Sequence, residues 1–118
     1  MAYYDFAVIP VRTSNLAAYR KMVKQGAAAW KRCGALEYVE AIGDGLTPGK
    51  RTSFPRSVKA KPDETVGVAL LKFKNKAARN KAWKLIMKDP FMNQFDGKTM
   101  PFDGKRMFFG GFKPIGGF

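Results

Sequence analysis

Histidine is missing from this chain of 118 residues, and cysteine occurs once, at Cys33. The first absence removes the side chain that most often serves as general base and metal ligand, so histidine triads, histidine-bound zinc and proximal-histidine haem are excluded. A lone thiol can make neither an internal disulfide nor a thiolate cluster. No metal site and no cofactor is expected. Acidic residues are scarce as well: nine stand against 22 lysines and arginines, for a formal charge of +13. No apolar run approaches the roughly 18 residues that a bilayer span requires, so no membrane partner is expected. The amino terminus enters a strand-like stretch without the charged head and apolar middle of a secretory leader, which predicts a cytoplasmic protein.

What is present suits a packed core. Hydrophobic residues make up 46% and aromatic residues 14% of the chain, and a chain of this length can bury roughly two thirds of its unfolded surface. One domain over residues 1–118 is expected. Tyr3 to Val11 alternates with apolar residues on both sides, Tyr4, Phe6 and Val8 against Ala7, Ile9 and Val11, as in a strand covered twice. Thr13, Ser14 and Asn15 offer caps for a helix that runs to Cys33 and stops at Gly34. Its stripe of Leu16, Tyr19, Val23, Ala27 and Trp30 should be buried. Strands are predicted over Ala35–Ile42, Val66–Phe73 and Arg106–Phe112. A second helix, capped by Asn75, should end near Asp89-Pro90, with Ala78, Ala82, Leu85 and Ile86 on one face. The stretch Ser53–Lys61 reads equally as strand or short helix.

The order strand, helix, strand, strand, helix, strand predicts an α+β class, a ferredoxin-like βαββαβ sandwich with a four-stranded antiparallel sheet and both helices on one face. Apolar residues on the other face demand a cover, and a second copy of the chain is the simplest one. A homodimer is therefore expected.

Candidate chemistry is sparse. Asp5, Glu37 and Glu40 fall on strands that neighbour one another in this order, with Arg56, Lys59, Lys105 and Arg106 available as counter-ions. Such carboxylates either line a pocket as acid or base or form ordinary ion pairs. Asp5 leads, because it interrupts an apolar strand, with Tyr4 beside it and Tyr38 as a further tyrosine. Cys33 lies at a helix carboxyl end, where the dipole opposes a thiolate, and is expected to pack. Gly45 to Lys50 lacks the leading glycine and the following Ser or Thr of a phosphate-binding loop. Met107-Phe108-Phe109 does not carry the basic-Gly-aromatic pattern of RNA-recognition strands and reads as core or interface. Arg20, Lys24 and Lys31 on the first helix and Lys81, Lys84 and Lys88 on the second form basic stripes. They point either to unspecific nucleic-acid binding or to solubility.

Short runs also carry a family likeness: Tyr3-Tyr4-Asp5, Ile9-Pro10-Val11, Ala18-Tyr19-Arg20-Lys21-Met22, Gly34 to Glu40, Ser53-Phe54-Pro55-Arg56, Asp89-Pro90, and Met100 to Met107 with Gly110-Gly111-Phe112. On these the chain resembles the YbaA-like bacterial family, a domain of unknown function numbered 1428. The resemblance implies a dimeric α/β barrel, in which two sheets pack face to face. The lysine-rich second helix departs from the family pattern. The leading functional expectation is a homodimer whose paired sheets enclose a small, partly apolar cavity for a ligand, anionic compounds included. The alternatives are basic-face nucleic-acid binding and an enzyme of unassigned class.

Overall fold

The computed structural model describes residues 1–95 and 100–118. In chain order the elements are β1 (Tyr3–Arg12), a 3-10 turn (Thr13–Asn15), α1 (Leu16–Cys33), β2 (Glu37–Ile42), α2 (Phe54–Ser57), β3 (Glu64–Phe73), α3 (Lys76–Ile86), a second 3-10 turn (Pro90–Gln94) and β4 (Phe108–Phe112).

Local chemistry sets the boundaries. α1 stops where Gly34 takes φ 110°, a left-handed value that glycine adopts without strain, and Ala35 N–H returns to the Trp30 carbonyl at 3.0 Å. α3 starts where the Asn75 side-chain oxygen accepts the Ala78 N–H at 2.8 Å, satisfying one donor that a helix start leaves free. The stretch that reads equally as strand or helix contains α2, because the Ser53 hydroxyl caps the Arg56 N–H at 3.1 Å and Pro55 fits a first turn. β4 begins at Phe108 rather than Arg106. Arg106 instead closes a turn over residues 104–106 in which Asp103 accepts the Lys105 N–H at 2.9 Å and the Arg106 N–H at 3.3 Å.

Four strands pair in the order β2-β3-β1-β4, antiparallel throughout. This is the ferredoxin-like arrangement expected. Register decides which side chains meet: Asp5 lies opposite Leu71, Ala7 opposite Ala69 and Phe109, and Tyr38 opposite Leu71. Since partners share a face, Tyr3, Asp5, Ala7, Ile9 and Val11 point with Tyr38, Glu40 and Phe109 toward α1 and α3. There the core forms in two clusters, one around Ala29, Cys33, Leu71, Phe73, Ala82 and Ile86, the other around Ile9, Val11 and Tyr19.

The opposite face remains open. Phe6, Phe108, Phe112 and Val39 are 42%, 47%, 54% and 55% exposed on it, and Phe6 meets Phe112 edge to face at 5.3 Å.

Candidate functional site

Beneath the helices, between the end of α1, α3 and the sheet, lies a cavity of about 180 Å³. Aromatic rings and methionines wall it: Trp30, Trp83, Phe91, Phe102 and Phe109, with Met22, Met92 and Met107. Trp83 holds the far wall together, meeting Trp30 edge-on and stacking on Phe109, each at 5.0 Å. Two carboxylates, Asp5 and Glu40, enter this apolar setting, and they are held in different ways.

Asp5 is 2% exposed and fully engaged. Arg79 on α3 grips both of its oxygens, at 2.9 and 2.8 Å, and the Trp83 indole N–H donates at 2.9 Å. The fork geometry of guanidinium and carboxylate makes this a strong charge-assisted pair. The Asp5 bonds raise the Arg79 pKa above its ordinary value. Such an arrangement ties α3 to β1 and gives both Asp5 oxygens partners within the protein.

Glu40 is different. It accepts hydrogen bonds from the phenols of Tyr19, on α1, and Tyr38, two residues back on the same strand, the second at 2.5 Å. No cation sits on it among the described residues. Burial therefore raises its pKa above the usual 4.5, against the opposing pull of the two phenol bonds. Burial first, and then the Glu40 charge, push both phenols well above their ordinary value, so each keeps its proton and donates. A carboxylate of this kind takes up a proton more readily than a free one, and it borders the cavity. Gly67 eases the approach: a Cβ there would stand a tight 3.1 Å from the Tyr19 hydroxyl.

The other expected site residues lie elsewhere. Tyr4 and Glu37 occupy the open sheet face, Glu37 reaching Lys72 at 3.9 Å. Arg56 donates to the Pro48 and Gly49 carbonyls, at 2.6 and 2.9 Å, and so braces the loop before α2. Lys59 is exposed, has φ 50°, and offers its carbonyl to Arg106 at 3.0 Å. Arg106 is committed to Glu64, at 2.7 and 2.6 Å, and to Asp103 at 2.8 Å. Its hydrogen bonds hold the Glu64 pKa below the usual range. Glu64, Asp103 and Arg106 border a larger recess of about 580 Å³, where these three charges satisfy one another. The structure thus brings Asp5 and Glu40 into one cavity and disperses the rest. The cavity also lies on the helix side of the sheet, not on the face that paired sheets would close.

Three residues that complete the site, Tyr19, Arg79 and Trp83, read from the sequence as parts of helices only. A signal exists for two of them. Tyr19 is the polar member of a buried stripe, and Arg79 sits among Ala78, Ala82 and Ile86, on a face otherwise apolar.

Residues 2–104 match the family described as protein of unknown function (DUF1428). The chain belongs to that family. It is 40% identical over 115 residues to the "Uncharacterized protein YbaA" of Escherichia coli strain K12, with 98% of this chain and 97% of that protein covered. Among solved structures it is similar to a mutant form of SnoaB, a cofactor-independent oxygenase from Streptomyces nogalater, at TM-score 0.63 and 12% identity, covering 98% of this chain and 95% of that one. It is also similar to a dimeric ferredoxin-like protein from an uncultured marine organism, at TM-score 0.54 and 12% identity, covering 94% and 91%. At these identities the structural likeness establishes the fold, which this family member shares.

Proposed function

We propose that the protein is a homodimer joined through its open sheet faces, and that each protomer binds a small, mainly apolar ring compound in its own cavity against Glu40. The observation that carries the binding role is the pairing of an aromatic-walled space with a single proton-accepting carboxylate. Binding sites of this kind are mostly apolar with few, well-placed polar groups. An apolar cavity of about 150 Å³ accepts a benzene ring, so about 180 Å³ suits one ring with a small polar substituent. A hydroxyl or amide on that ring would complete the bonding of Glu40. The dimer reading is supported by the apolar open face and by the dimeric ferredoxin-like protein of similar fold.

A panel of substituted phenols and anilines, followed by protein-detected NMR, tests the site. Shifts confined to residues around Glu40, weakened at least tenfold by Glu40→Gln, are expected. Shifts scattered over the surface, or unaffected by the substitution, would refute it. Light scattering across micromolar concentrations tests the assembly, and a monomer mass throughout would end that part of the reading.

A further inference from the structure

α1 and α3 together contain no aspartate or glutamate. Surface helices ordinarily mix charges, since acid and base one turn apart support each other by a few tenths of a kcal/mol. Here Arg20, Lys24 and Lys31 recur along the outer side of α1, and Lys81, Lys84 and Lys88 along the outer side of α3 and its exit. All six are exposed, as are Lys21 and Lys76 beside them. Among the described residues, the carboxylates that pair with cations of these helices are Asp89, with Arg32, and Asp5, with Arg79. One whole layer of the molecule therefore presents a field of a single sign.

We propose that this helical layer is an electrostatic docking surface for a nucleic acid. The cations are strung along two rods rather than gathered round a point. Arg20 to Lys24 rises about 6 Å and Lys24 to Lys31 about 10.5 Å; along α3 Lys81 to Lys84 rises about 4.5 Å, and Lys88 follows in the turn just past the helix. A small anion needs converging donors. A duplex, with one charge for about each 1.7 Å of its axis, meets such rows at several phosphates at once. An interfacial helix on a lipid surface needs an apolar side to insert. These helices have already buried theirs, through Tyr19, Ala29, Cys33, Ala82 and Ile86, against the sheet. What remains outward is mainly charge, interrupted on α3 and its exit by the separate apolar side chains Leu85 and Met87, too few to form an inserting face; such charge engages backbone phosphate and reads no sequence. This surface lies across the helices from the cavity, so it does not depend on the binding role proposed for Glu40.

Fluorescence anisotropy with a labelled random-sequence 24-base-pair duplex provides the test. Binding should weaken about a thousandfold between about 50 and 200 mM salt if six phosphates are engaged. Changing Lys81, Lys84 and Lys88 together to glutamine should flatten the plot of log affinity against log salt by about three units. The triple change at Lys50, Arg51 and Lys113, which removes equal charge away from the helices, should leave that slope within about one unit. Equal effects from the two triple variants would reduce the phenomenon to net charge and overturn the proposal. So would an absence of binding at 50 mM salt, or retention on vesicles of anionic phospholipid without binding to the duplex. Circular dichroism identical to the parent confirms that each variant is folded.

Discussion

Removing the Asp5 carboxylate strands two donors at once, the Arg79 guanidinium and the Trp83 indole N–H. Breaking one side of a buried ion pair costs about 3–5 kcal/mol, because the remaining charge stays desolvated without its partner. Asp5→Ala should lose about that much in urea unfolding, and the additional change Arg79→Met should restore part of it. Glu40 has the opposite character. Its native pKa lies above the usual 4.5, so over the interval just above 4.5 the folded chain holds a proton that the unfolded chain has released. By linkage that contribution to stability is complete below the unfolded value and is lost as pH rises through the native one. Glu64, held low by Arg106, acts in the reverse sense: its contribution is present above its unfolded value and is lost on acidification. Glu40→Gln should therefore remove a decline in stability with rising pH above about 4.5, seen as a difference between the two proteins in urea midpoints measured from pH 4.5 to 7. Identical pH profiles would show that Glu40 is not buried in the way its surroundings imply.

At the scale of elements, α3 depends on its first turn. Asn75→Ala removes the acceptor for the Ala78 N–H and should cost about 1 kcal/mol, whereas Asn75→Asp, which keeps an acceptor at the positive end of the helix, should cost less. Chemical denaturation of the two variants side by side separates them. The elements were also the most legible part of the sequence. Gly34 and Asn75 announced a helix end and a helix start because their effects are local, and alternation in Tyr3 to Val11 showed a strand with two apolar faces. Contacts across layers were less legible. Asp5 stood out as an acid in an apolar strand, yet its partners lie 74 and 78 residues away, and only the strand register and the rotation of α3 bring them together. The same applies to Glu40: its tie to Tyr38 follows from period two, and its tie to Tyr19 crosses from sheet to helix, over Gly67, which leaves room for the phenol. Arg56 and Arg106 looked like free counter-ions because a sequence does not show which backbone carbonyls and acids a loop will fold beneath them.

For the molecule as a whole, the two faces of the sheet divide the work proposed here. Phe6 and Phe112, packed together across β1 and β4, lie within the face assigned to self-association. Placing a charge in the middle of such a contact is strongly unfavourable. The pair of changes Phe6→Glu and Phe112→Glu should halve the mass seen by sedimentation velocity and leave the helix signal unaltered. Persistence of the larger mass would locate the contact elsewhere.

The buried Cys33, seated between helix and sheet at the end of α1, has a consequence for experiment. Burial raises its pKa, so the intact protein gives an added thiol reagent neither access nor a ready thiolate. Modification then proceeds only during moments when the α1 terminus lifts from the strands beneath. The pace of alkylation becomes a clock for that opening, intrinsic to the chain, and a compound that settles under the helices should slow it.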